Sequence, residues 1–102
     1  MKFGLSDQQY SILDKLIIQP LKSKNAKVYV FGSRARGQPH PFSDIDLMYT
    51  EDINNPIDLG DISKIKEDIE NSNLAIKVDL VKDTDLAKSY RKSVEQDLVL
   101  IS

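Results

Sequence analysis

Asp44 follows Gly32 by twelve residues, and Asp46 follows two later. They lie inside a run that reads Val-Tyr-Val-Phe-Gly-Ser-Arg-Ala-Arg-Gly over 28–37 and Phe-Ser-Asp-Ile-Asp-Leu over 42–47. A Gly-Ser turn can grip a phosphate through main-chain N–H groups. Acids at i and i+2 of a strand point to one face, with Cα atoms about 6.6 Å apart. At that separation two carboxylates can converge on a divalent cation. A phosphate-gripping turn beside paired acids supplies the parts that Mg²⁺-dependent transfer from a nucleoside triphosphate requires.

Gly32 lets the backbone bend and approach a ligand with no Cβ in the way. Ser33 adds a hydroxyl and an N–H at the start of the next turn, where the local dipole favours an anion. Arg34 and Arg36 add positive charge, and arginine pairs with phosphate in bidentate fashion. On their own these residues also fit a tight turn with two solvated arginines. The acids narrow the choice. Asp is disfavoured in strands, and Asp44 and Asp46 repel unless something positive lies between them. Asp79 is a third acid in a predicted strand. If its strand neighbours that of Asp46, three hard-oxygen ligands meet, a set that suits Mg²⁺. The competing reading of Asp79 is the outward side of an edge strand.

The elements that must position these residues follow from periodicity. Ser6 and Gln9 form a capping-box pair, and Tyr10, Leu13, Leu16 and Ile17 recur at helical spacing, so a helix is expected over 6–19. Pro20 weakens its continuation, and 23–25 reads as a polar connection. Residues 27–32 read as a strand, 32–37 as a turn opening a short helical turn, and 38–43 as a proline-containing loop. A second strand is expected over 44–50, with Ile45, Leu47 and Tyr49 opposite Asp44 and Asp46. After a polar loop, Ile62, Ile65 and Ile69 mark a helix over 57–71, capped at Asp58 or Asp61. Residues 75–82 alternate, with Ile76, Val78 and Leu80 on one face and Lys77 and Asp79 on the other. Thr84 or Asp85 could cap a last helix with Leu86, Tyr90 and Val94 inward, and 98–101 is either its end or a small edge strand. The order α-β-β-α-β-α, with room for a final β, implies an α+β (layered α/β) domain: a small mixed sheet packed by helices.

At 102 residues, one domain over 1–102 is expected. Apolar residues make up 40% and charged residues 29%, a globular rather than a disordered balance. No apolar run approaches the ~18–20 residues of a membrane span, and the first residues lack the apolar core of a signal peptide. Without cysteine there is no disulfide framework or thiolate metal site, so the cytoplasm is the expected location. A net charge of −2 argues against a nucleic-acid partner, which would meet a basic face. His40, the only histidine, lies in the 38–43 loop and is given no role. Lys77 is read as solvated or paired with Asp79, and Tyr10, Tyr29 and Tyr49 as packing residues.

Gly32, Ser33, Asp44, Asp46 and the residues around them resemble the nucleotidyltransferase superfamily with the DNA polymerase β-type palm. Its motif is a Gly-Ser turn, about ten residues, then Asp-x-Asp; here 34–43 intervene. In detail the run is similar to the minimal nucleotidyltransferases, antitoxin partners of HEPN-domain toxins. Asp79, in Lys77-Val78-Asp79-Leu80-Val81, matches the third acid of the family. The resemblance implies a polymerase β-like palm, with Gly32, Ser33, Arg34 and Arg36 at the triphosphate. It implies that Asp44, Asp46 and Asp79 ligate one or two Mg²⁺ ions. It implies ATP as substrate, and transfer of AMP to a hydroxyl of a partner protein, a HEPN toxin tyrosine. A second reading is a non-catalytic antitoxin that neutralises its partner by covering it, and a third is transfer to a small cationic molecule.

Overall fold

The computed structural model describes residues 2–37, 43–86 and 88–101, with side chains at 3–37, 43–86 and 91–101. The expectations for the 38–43 loop and His40 fall largely outside these residues, as does the inward placement of the Tyr90 side chain.

The chain enters through a capping box. Ser6 Oγ accepts from the Gln9 N–H at 3.1 Å, and Gln9 Oε1 accepts from the Ser6 N–H at 2.9 Å. This starts α1 (Asp7–Leu13), and the helix does not stop before Pro20. It widens into a π turn over Asp14–Ile18, then continues as α2 (Gln19–Lys22). In the wide turn the Gln19 N–H reaches back five residues to the Asp14 carbonyl. Pro20, which has no N–H to give, sits where that turn hands over to α2. The helix ends at Ser23, and 23–25 is a turn closed by Asn25 at φ 60°.

Strand β1 (Lys27–Phe31) pairs antiparallel with β2 (Ile45–Thr50), which pairs parallel with β3 (Val78–Lys82). The tail forms the two-residue strand β4 (Val99–Leu100) on the other side of β1, so the mixed sheet runs β3-β2-β1-β4. Between β2 and β3 lies α3 (Leu59–Glu70), capped at Asp58 with Asp61 as its reciprocal partner. Lys24 Nζ also pairs with Asp61 Oδ2 at 2.7 Å. The last helix, α4 (Lys88–Asp97), begins later than Thr84 or Asp85, because 83–85 form their own 3₁₀ turn.

Alternation in the strands divides the side chains between two cores. Val28, Val30, Ile45, Leu47, Tyr49 and Leu80 face Leu13, Ile17, Leu21 and Ile65 of the first three helices. Phe31 and Met48 face the opposite way, onto Val94 of α4. Helices therefore cover both sides of the sheet, and Asp46, paired with Phe31, opens on the α4 side. Among the described residues no helix is long and apolar enough to cross a membrane.

Candidate active site

The backbone bends as β1 ends. Gly32 has φ +78°, a conformation that side chains disfavour, and the Arg36 N–H closes a turn onto the Gly32 carbonyl at 3.1 Å. Space imposes a second requirement. A Cβ at Gly32 would lie 2.5 Å from Asp46 Oδ2. Only glycine lets the turn rest directly against that carboxylate. Ser33, next in the turn, is partly exposed, and its hydroxyl has no partner among the described residues.

The two arginines part company. Arg34 is 2% exposed. Its Nε and Nη2 donate to the Ser43 carbonyl at 3.2 and 2.8 Å, and Nη1 donates to the Phe3 carbonyl at 2.9 Å. It ties the turn to the chain entering β2 and to the N-terminal segment. Arg36 is exposed and pairs through Nη1 with Asp97 Oδ2 at 2.6 Å, at the end of α4. Residue types alone place both arginines beside the turn; burial separates a brace, Arg34, from an exposed cation, Arg36, held by a single ion pair. Asp97 was not anticipated as a neighbour of the site, since nothing local marks an acid at the end of a distant helix.

The register brings two acids together. Asp46 of β2 is paired directly with Asp79 of β3, so their Cα atoms lie about 4.8 Å apart and their side chains share a face. Asp44 stands exposed, one residue ahead of β2. Both neighbouring acids bear on Asp46. Partial burial, then the charges of Asp79 and Asp44, raise the Asp46 pKa above the ordinary value, and Arg36 offsets part of this. Lys77 Nζ lies 3.9 Å from Asp79 Oδ1. Among the described residues no three acidic or imidazole groups are posed closely enough to enclose an ion. The donor set nevertheless fits a hard divalent cation: only oxygens, on residues one strand apart, around Asp46, whose burial and like-charged neighbours disfavour its ionisation.

Residues 15–102 match the family described as Polymerase beta, Nucleotidyltransferase. The chain belongs to this nucleotidyltransferase family. It is 36% identical over 81 residues to two candidate protein adenylyltransferases of Methanocaldococcus jannaschii, MJ1379 and MJ0126, covering 78% of this chain and 80% of each relative. A candidate minimal nucleotidyltransferase of solved structure superposes with TM-score 0.59 at 28% identity, over 90% of this chain and 87% of that one. A toxin-antitoxin complex crystallised with AMP-PNP matches in fold with TM-score 0.64 at 23% identity, over 87% of this chain and 72% of that one. The family and the α+β palm expected from residues 28–49 therefore hold.

Proposed function

We propose that this nucleotidyltransferase moves AMP from ATP to a hydroxyl of a partner protein, in the role of antitoxin to a HEPN toxin whose tyrosine accepts the group. The observation that carries the reading is the register of Asp46 against Asp79, beside a turn that only Gly32 can make. The relatives named as candidate protein adenylyltransferases, and the toxin-antitoxin complex solved with AMP-PNP, favour the same donor and kind of acceptor.

In this reading the Ser33 hydroxyl and the N–H groups of its turn hold the triphosphate. Arg36, with one ion pair to exchange, swings from Asp97 to a phosphate, while Arg34 keeps the turn in shape. Asp44, Asp46 and Asp79 would hold one or two Mg²⁺ ions. Bound there, Mg²⁺ supplies neutralisation of the charge that gathers on the attacking and leaving oxygens. The acceptor oxygen bonds to the α-phosphorus, its proton passes to Asp79, and the bond to the bridging oxygen breaks with release of pyrophosphate. Positioning and fixed charge then lower the barrier without covalent participation by the protein.

The test is incubation with Mg²⁺, ATP and the protein encoded beside this one, followed by mass spectrometry of the intact partner. A gain of one AMP is expected, and its loss with Asp44→Ala or Asp46→Ala. The likeness in fold to toxin-antitoxin complexes also suits a second reading, neutralisation by binding alone. Toxin inhibition undiminished in Asp46→Ala, with no AMP gained by the wild-type pair, would establish that reading instead.

A further inference from the structure

The sheet order leaves β3 at an edge. The Ile45 N–H donates to the Lys77 carbonyl, and Ile45 and Val78 are in register. In a strand the N–H and C=O of one residue point the same way and successive residues alternate. Lys77, Asp79 and Val81 therefore turn their main-chain groups toward β2. Val78, Leu80 and Lys82 turn theirs outward, where no strand pairs with them among the described residues. Such a row is a template for an added strand, and neither proline nor bulge interrupts it. Alongside it runs a groove of about 830 Å³, walled by Ile65 and Ile69 of α3 and by Ile76, with the exposed Lys66, Glu70 and Lys77 also lining it, which reaches Asp79.

We propose that this edge and groove seat the acceptor polypeptide, which adds to β3 as an extended strand. The proposal rests on the protein-directed transfer argued above and specifies how the acceptor is recognised. The acceptor residue opposite Asp79 shares its face and points to the reacting centre. Its two neighbours point the other way, into the groove, toward the apolar wall made by Ile65, Ile69 and Ile76. The recognised segment is thus a hydroxyl-bearing residue flanked on both sides by apolar ones. Length selects the hydroxyl. The added strand lies two strand spacings, about 10 Å, from β2 and Asp46. A serine or threonine hydroxyl stays over its own strand, whereas a tyrosine crosses β3. The phenolic oxygen forms the new bond to the α-phosphorus, Asp79 takes its proton, and pyrophosphate departs with the electron pair of the broken bond.

The test uses the intact ¹⁵N-labelled chain and short synthetic peptides with a central tyrosine between two valines. Addition of peptide is expected to shift the Val78 and Leu80 amide signals and slow their exchange with solvent. With Mg²⁺ and ATP the peptide gains AMP, and a version with aspartates in place of the valines does not. Val78→Pro removes an outward N–H without touching the ladder to β2, and Ala75→Trp fills the groove from an exposed position. Each is expected to weaken peptide binding about tenfold, as loss of one hydrogen bond or equivalent contact does, while Mg²⁺-ATP binding and, for Ala75→Trp, the melting temperature stay near wild type. Peptide labelling in Ala75→Trp equal to wild type overturns the proposal. So does peptide that leaves the β3 amides unmoved while Mg²⁺-ATP binds, or self-association of the chain through β3 that Val78→Pro abolishes. If instead peptide protects β3 but wild type takes up no Mg²⁺-ATP, the transfer reading fails and the edge site stands.

Discussion

Substituting Gly32→Ala places two separable burdens on the protein. An alanine held at φ +78° costs about 1–2 kcal/mol, the left-handed penalty for a residue with a Cβ. The new Cβ also meets Asp46 Oδ2 at 2.5 Å, so the carboxylate must rotate away. The nearest atom is the end of a flexible side chain, so turning it aside costs only about 0.5–1.5 kcal/mol. Together they amount to about 2.5 kcal/mol, or a fall in melting temperature of roughly 10–20 °C for a domain near this size. The rotation also moves Asp46 out of line with Asp79, and a displacement near 1 Å at a reacting centre costs roughly 10²-fold in rate. The two burdens separate in a double-mutant cycle with Asp46→Ala, read by urea denaturation. With the carboxylate gone, only the backbone penalty of about 1–2 kcal/mol remains. If Gly32→Ala destabilises both backgrounds equally, the turn does not rest on Asp46 and the steric argument is wrong. Full AMP transfer by Gly32→Ala would refute the catalytic half of the argument.

The two arginines should exchange phenotypes. Arg34→Ala leaves the Phe3 and Ser43 carbonyls short of charged donors and is expected to destabilise by about 3 kcal/mol, whereas Arg36→Ala, removing one exposed ion pair, changes stability by less than about 1 kcal/mol. In an ATP titration of transfer rate, Arg36→Ala is expected to raise KM; equal melting temperatures for the two variants would contradict the division of roles. Asp46 has a raised pKa, so its ionisation opposes folding: that contribution to stability is present below the unfolded carboxylate pKa and lost as pH rises through the raised value. In EDTA, Asp46→Asn is therefore expected to melt higher than wild type at pH 7, with the gap closing below about pH 4 as both chains become neutral there; a variant less stable at pH 7 would contradict the assigned cause. Glu51 has the opposite sign. The Ile57 N–H, then Lys82, hold its pKa low, so its stabilisation is present above the ordinary carboxylate range and lost as pH falls through the lowered value. Glu51→Gln should reduce the acid sensitivity of a thermal melt, and an unchanged pH profile would speak against that anchoring.

Much of this architecture is legible in residue order. The Ser6 and Asp58 caps lie in local patterns of Ser-x-x-Gln and Asp-x-x-Asp, and the alternation over 75–82 orients Asp79 without any tertiary knowledge. The end of the first helix is less legible, because a π turn is a tertiary accommodation and Pro20 ordinarily signals a stop. Residues 98–101 could be read either way, since a two-residue strand is held by its pairing to β1 and not by its own propensity. The site divides along the same line. Gly32, Ser33 and the paired acids are recognised by spacing. The contrast between Arg34 and Arg36 depends on a carbonyl 31 residues away and an acid 61 residues away, which no local pattern carries.

The measurement that bears most directly on the account is calorimetric titration of the chain with ATP in the presence and absence of Mg²⁺, repeated with Asp46→Ala and Asp79→Ala. The account predicts one nucleotide per chain, bound only with Mg²⁺ and lost in both variants. Nucleotide uptake that ignores Mg²⁺, or that survives Asp79→Ala unchanged, would contradict the claim that β2 and β3 jointly build the site.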